Sequence, residues 1–295
     1  MDLFYKVIDN FEQLKYALLE AQTFDPDHYG FPKVYYKVME TDKRRVGAYI
    51  KAFDHYDKLR DAVVCEAGIG TLALTQHYLP YVKKAYLIEN NPQLTDFIKE
   101  ELHKNGWTHK TEFIVGDAMK IELPEKVDYV IGELMSIYCA NEYQVQIFKH
   151  LRQFLKPEGK LIPEKIINLA QAVNADFDQG HKHYPILFTR HWPELLSTQA
   201  MVNTTNLYRE EALQIEAQTS LQPYLSGQAN GILMHSLIEL AEGVNFTGTD
   251  SLMPPTLMQL EEEFELKAGQ EVDLHAHYHY GTNLDEARFW LTSKS

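Results

Sequence analysis

The chain has 295 residues, 45% hydrophobic and 24% charged, a balance that suits a folded enzyme of about two domains and excludes extended disorder. Its formal net charge of −14 comes from 28 lysines and arginines against 42 aspartates and glutamates. That excludes a general nucleic-acid binder, whose affinity rests on basic side chains releasing counterions, and favours a cationic partner. Two cysteines, Cys65 and Cys139, are too few for a disulfide framework or a cysteine-rich zinc site.

The opening "MDLFYKVIDNFEQL" is acidic where a secretory signal is basic and then apolar, and no run reaches the ~18 apolar residues of a membrane span. A cytoplasmic protein with no membrane partner is expected. From Met39 to Phe53 the residues Met39, Val46, Tyr49, Ile50 and Phe53 recur at helical spacing, with Lys43, Arg44 and Arg45 on the other face. "DAVVCEAGIG" then reads as a buried strand ending in a glycine turn, followed by the helical "TLALTQHYLP".

The alternation continues. "KAYLIEN", "TEFIVGD" and "KVDYVIGE" are expected strands, with the helix "NPQLTDFIKEELHKNG" between the first two. The helix "YQVQIFKHLRQFLKPEG" leads into the strand "KLIPEKI". Strands and helices in this order predict a parallel sheet covered on both faces. Beyond about residue 163, "INLAQAVNADFD", "FELKAGQEVDLHAHYHYG" and "ARFWLTS" alternate like antiparallel strands of a second domain, interrupted by "HKHYPILFTRHWPELL", a helical or extended arm. His275, His277 and His279 fall on one face of such a strand; with no acidic or cysteine partner nearby they read as a histidine-lined face, and no metal is expected. The run "LEEEFEL" reads as a solvated edge.

"EAGIGTLA" places Gly68, Gly70 and Ala73 in a G-x-G-x-x-A turn between strand and helix. That pattern also serves nicotinamide dinucleotides, which keeps a dehydrogenase among the alternatives, but Glu66 puts a carboxylate where a pyrophosphate would approach. S-adenosylmethionine carries an ammonium and a sulfonium and no phosphate, so it is the better guest. Glu89, with Asn90 beside it, ends the second strand where ribose hydroxyls need an acceptor; Asp117, followed by Ala118, ends the third and suits the adenine amino group. The fourth strand runs into "GELMSIYCANE", in which Glu133 and Glu142 bracket an otherwise uncharged loop.

This loop resembles the double-glutamate loop of the protein arginine methyltransferase family, and Glu133, Met135, Tyr138 and Glu142 fit that pattern. "METDKRRVGAY" is similar to the family's helix before the first strand, through Met39, Asp42 and Arg45; the resemblance implies that Arg45 holds the cofactor carboxylate and that Met39 and Tyr138 contact substrate. "ELPEKVDYVIGE", "LKPEGKLIPEKI" and "LKAGQEVDLHA" also read like family segments. The sequence departs from the family at Leu134, where tryptophan is common, and at Gln144, where many members have methionine. The Thr-His-Trp motif is absent, and the tyrosine and phenylalanine helix over the cofactor is not recognisable in "TFDPDHYGFPKVYY".

The resemblance implies an α/β fold: a Rossmann-like seven-stranded methyltransferase sheet followed by a smaller antiparallel β-barrel-like domain. The expected domains are an N-terminal helical cofactor-lid segment over 1–60, an S-adenosylmethionine-binding domain over 61–162 and a barrel-like substrate and dimerisation domain over 163–295. The expected activity is methyl transfer to a guanidino nitrogen of arginine, free or in a peptide or protein, with Glu133 and Glu142 catalytic. A different amine, hydroxyl or carbon acceptor is the alternative. A homodimer through the arm at "HYPILFTRHWPELL" is expected.

Overall fold

In the computed structural model the described residues are Tyr36, 39–177, 181–210, 212–247 and 253–294. Most of the expected lid segment lies outside them. Among the described residues no helix is long and apolar enough to cross a membrane. The chain divides into two units, residues 1–133 with 150–162, and residues 134–149 with 163–295.

In the first unit, α1 (Lys43–His55) starts at Asp42, whose side chain accepts from the backbone N–H groups of Arg44 and Arg45. Its buried face is Arg45, Ala48, Tyr49, Ala52 and Phe53, the three- and four-residue spacing of one helix stripe. The strands β1 (Val63–Ala67), β2 (Lys84–Glu89), β3 (Thr111–Val115) and β4 (Val127–Gly132) alternate with α2 (Thr75–Tyr78) and α3 (Thr95–Lys104); the chain then forms α4 (Gln144–Leu151), most of which belongs to the second unit, before returning to the sheet as β5 (Leu155–Ile162). All five strands are parallel, in the order β3-β2-β1-β4-β5. Val64, Cys65, Leu87, Val130, Ile131 and Leu161 are buried at the sheet centre, the continuous apolar pattern of strands covered on both faces. The order reverses between β1 and β4, and the crevice outside the carboxyl ends of strands at such a point is where open α/β sheets bind ligands.

Three local expectations change. The sheet has five described strands rather than seven, because β6 (Lys165–Asn174) pairs antiparallel in the second unit instead of returning to it. The helix expected over "TLALTQHYLP" shrinks to four residues, since the turn runs on to Leu72, whose left-handed φ of 68° cannot be helical. "LKPEG" is part of β5, at the sheet edge where a proline is tolerated; a β-carbon at Gly159 would lie 2.9 Å from the Asp128 carbonyl, so only glycine lets the strand approach there.

The second unit holds two antiparallel sheets. One is β10 (Gln214–Leu221), β14 (Val272–His279) and β15 (Arg288–Ser293); the other follows β7 (His183–Pro185), β13 (Thr256–Leu266), β11 (Gly227–Ala241), β6 and β8 (Glu194–Leu195), with β9 (Ala200–Asn206) on β6 and β12 (Val244–Thr247) on β11. The arm "HKHYPILFTRHWPELL" is extended: β7, a single 3₁₀ turn over Ile186–Phe188, and β8. On β14, Leu274, Ala276 and Tyr278 point into the unit, while His275 stacks on Trp290 at a ring distance of 5.1 Å and its Nε2 lies 2.9 Å from Thr292 Oγ1. Among the described residues no cluster of histidine, cysteine or acid is placed to hold a metal.

Candidate functional site

The turn after β1 is built on two left-handed glycines, Gly68 at φ 71° and Gly70 at φ 51°. The Gly70 N–H donates to Glu89 Oε2 at 2.8 Å and the Asn91 N–H to Glu89 Oε1 at 2.8 Å. Glu89 is only 6% exposed; burial pushes its carboxyl up, and backbone N–H groups from Asn91, Gly70 and Asn90 pull it back. The carboxylate thus locks the end of β2 to the glycine turn, with lone pairs left for a guest. A β-carbon on Gly70 would meet the Tyr36 ring at 3.2 Å, and the Tyr36 hydroxyl accepts from Asn91 Nδ2 at 3.5 Å. Tyr36 was not singled out from the sequence, where only its place before α1 hinted at it.

Glu66 has a different task from the one its position in the sequence suggested. It is 2% exposed, and its Oε2 accepts from Thr75 Oγ1 at 2.7 Å and from the Tyr78 hydroxyl at 2.6 Å. Burial raises its carboxyl to about 7 against those two hydrogen bonds. Glu66 therefore braces β1 against α2. Asp117 accepts from the Met119 N–H at 2.9 Å and pairs with exposed Lys120 at 3.0 Å, while Ala118 is buried and Asn90 exposed.

At the end of β4, Arg45 Nη1 lies 2.8 Å from Glu133 Oε2, and Arg45 Nη2 donates to the Met39 carbonyl at 2.8 Å. The Tyr49 hydroxyl donates to the Gly132 carbonyl at 2.8 Å, so α1 is fastened to the end of β4 by two consecutive residues of the strand exit. Both side chains of the ion pair are largely buried.

Glu133 closes the first unit and Glu142 belongs to the second. Within the second unit the stretch 134–142 passes through left-handed Tyr138 (φ 58°) and Cys139 (φ 51°), a costly backbone for residues with side chains. Side chains from distant strands hold it. Ser236 Oγ accepts the Tyr138 N–H at 3.1 Å and donates to Asn168 Oδ1 at 2.8 Å; Asn168 Nδ2 continues to Asn203 Oδ1 at 3.0 Å and to the Tyr278 hydroxyl at 3.1 Å. The Tyr138 ring is fully buried against Tyr278 and Phe289, and its hydroxyl donates to the Leu169 carbonyl, so this side chain serves the interior of the unit and not a guest. The Leu134 N–H donates to Gln144 Oε1 at 2.9 Å. Nothing in the sequence pointed to Ser236 or Asn168.

Residues 64–159 match the family model described as a methyltransferase domain. An uncharacterized protein of Methanocaldococcus jannaschii, MJ1452, is 26% identical over 259 residues, 87% of this chain and 96% of its own length. The histone-arginine methyltransferase CARMER of Drosophila ananassae is 29% identical over 170 residues, 55% of this chain and 32% of that protein, so this chain spans about a third of the CARMER relatives. Among solved structures, the Trypanosoma brucei PRMT1 enzyme-prozyme heterotetrameric complex with AdoHcy superposes with a TM-score of 0.70 at 17% identity, covering 81% of this chain and 85% of the other. Protein arginine methyltransferase 10 of Arabidopsis thaliana gives the same TM-score and coverage at 15% identity. The segment that carries the parallel sheet and its switch point is thus similar to a methyltransferase domain. In fold the chain is similar to these two arginine methyltransferase structures, a parallel α/β sheet followed by antiparallel β structure.

Proposed function

We propose that this methyltransferase uses S-adenosylmethionine and transfers its methyl group to a guanidino nitrogen of arginine, free or in a peptide or protein. The observation that carries the reading is Glu133: a largely buried carboxylate at the exit of β4 whose partner in the structure is itself a guanidinium, that of Arg45.

The residues at the glycine turn fit a cationic cofactor without phosphate. Gly68 and Gly70 keep the turn free of side chains, and Glu89 offers acceptor lone pairs to ribose hydroxyls. Asp117 and Ala118 would take the adenine end, and Arg45 the carboxylate. The cofactor supplies a methyl group on a sulfonium.

A guanidinium is a poor nucleophile because its charge is delocalised and its proton is held above about pH 12. Glu133 and Glu142 would each accept hydrogen bonds from it, fixing one terminal nitrogen in line and drawing positive charge onto the others. The exposed Phe188, Trp192 and Leu195 of the extended arm support a homodimer, Trp192 being 74% exposed.

The rival reading keeps the cofactor and changes the methyl acceptor to an amine, a hydroxyl or a carbon. Mass spectrometry after incubation with labelled S-adenosylmethionine tests both readings: a 14-dalton gain on arginine or an arginine peptide supports the first, and a gain confined to amines or alcohols supports the other acceptors.

A further inference from the structure

One glycine of a distant turn holds the chain on both sides of Glu142. Gly281 follows β14 at a left-handed φ of 74°, and its N–H donates to the carbonyl of Cys139, three residues before Glu142, at 2.9 Å. Gln146, four residues after Glu142, donates from Nε2 to the Tyr280 carbonyl at 2.8 Å. The ring of Tyr143, the residue next to Glu142, crowds the same point: a β-carbon on Gly281 would lie 2.8 Å from its Cδ1 and would also overlap the Gln146 amide. Both the backbone angle and the space therefore require glycine here. Gln146 is not chosen for packing alone, since a leucine would fill its place without leaving Oε1 buried and unpaired.

Tyr280 ties this anchor to the one at Tyr138. Its hydroxyl accepts from Asn203 Nδ2 at 2.7 Å and also meets Thr205 Oγ1. Asn203 Oδ1 accepts from Asn168 Nδ2 at 3.0 Å, and Asn168 leads through Ser236 to the Tyr138 N–H. Gly281 then returns the path to Cys139, so the hydrogen bonds form a closed circuit around the stretch. Members of such a circuit reinforce one another, and none shifts alone.

Resting on the guanidino reading above, we propose that Gly281 is a positioning residue for Glu142: it fixes the place of the carboxylate that orients the acceptor nitrogen, without touching substrate itself. In-line transfer demands that placement, a shift of about 1 Å costing on the order of 10²-fold in rate. Non-bonded carbons rest about 3.5–4.0 Å apart, so a β-carbon at position 281 moves the Tyr143 ring by on the order of an ångström, one residue from Glu142.

Gly243 and Gly269 supply the control. They lie in the same unit at left-handed φ of 72° and 79°, and a β-carbon on either meets nothing within 4 Å. Alanine at any of the three positions carries the same backbone cost, but only Gly281→Ala presses on the chain around Glu142. The variants are compared with wild type in the full chain, at a temperature below every Tm, for kcat and KM with an arginine peptide and for S-adenosylhomocysteine affinity by calorimetry. All three should lower Tm. Gly281→Ala alone should cut kcat, by between about ten- and a hundredfold, with KM and S-adenosylhomocysteine affinity held within about threefold. Gln146→Leu, which releases the Tyr280 carbonyl and leaves Gly281 as it is, should lower kcat in the same direction and decides the matter if Gly281→Ala does not fold. An unchanged kcat in the deciding variant overturns the inference, as does an equal fall in Gly243→Ala and Gly269→Ala. If wild type methylates no guanidino compound, the function reading falls and takes the inference with it; if wild type does and the variants match it, the inference alone falls.

Discussion

The glycine turn of the first unit and the 134–142 stretch of the second solve the same problem by different means. Both hold a backbone in left-handed φ beside a residue proposed above to meet a guest. In the turn the strained positions are glycines, and the lock is one carboxylate, Glu89, reached across nineteen residues by the Gly70 N–H. In the stretch the strained positions are Tyr138 and Cys139, and the lock is a chain of neutral side chains starting at Ser236, ninety-eight residues away. Glycine makes the first inexpensive and open to a ligand; the second spends a buried polar network on a backbone that only tertiary structure can stabilise.

The largest effect should come from the carboxylate at the strand exit. Glu133→Gln is expected to cut kcat by about 10²–10³-fold, as loss of one preorganised charge-stabilising group does, while S-adenosylhomocysteine still binds by calorimetry. Equal loss of both would move Glu133 from substrate to cofactor and blur the contrast between the two regions.

The next test concerns Glu66. Its folded carboxyl is raised to about 7 from an ordinary 4.5, so the folded chain holds a proton that the unfolded chain has lost between those values. Stability is therefore fullest below about pH 4.5, falls as pH rises toward 7 and is flat above, a swing of about 3 kcal/mol from this group. Glu66→Gln should abolish that part of the slope in urea titrations at pH 5 and pH 8; an unchanged slope would mean that Thr75 and Tyr78 hold it ionised.

Ser236→Ala leaves the Tyr138 N–H unpaired and should cost about 1–3 kcal/mol in denaturant melts, with turnover falling more than cofactor affinity. If cofactor affinity falls equally, the two locks are not independent. Gly70→Ala should cost least, about 1–2 kcal/mol for a β-carbon in left-handed φ, and should weaken S-adenosylhomocysteine through the crowded Tyr36 ring. A neutral result would show that Tyr36 yields easily.

These contrasts also explain what could be read in advance. Tyr49 and Phe53 on the buried stripe of α1 and the run of Val63 to Ala67 were legible because period and composition are local properties, whereas Arg45, expected on the opposite face with Lys43 and Arg44, is buried in that stripe because Glu133 pairs with it. The glycine turn was legible because the backbone demand sits in the glycines themselves. Leu72 was not, since nothing in "TLALTQ" announces a left-handed leucine held by packing. The engagement of Glu66 by Tyr78 was not legible, because which side of a buried strand a carboxylate leaves from depends on the helix packed there. Ser236, Asn168 and Tyr36 were invisible for one reason: their partners are tens of residues distant, and no local pattern encodes them.

The central claim is that a guanidino nitrogen accepts the methyl group. Wild type and Glu133→Gln should be incubated with arginine, an arginine peptide and the matching lysine peptide in the presence of isotopically labelled S-adenosylmethionine, and the products fragmented by mass spectrometry. The account predicts label on the guanidino group of at least one arginine compound with wild type, none on lysine, and at most a hundredth of that label with Glu133→Gln. Label on lysine or another amine, or full labelling by the variant, would contradict it.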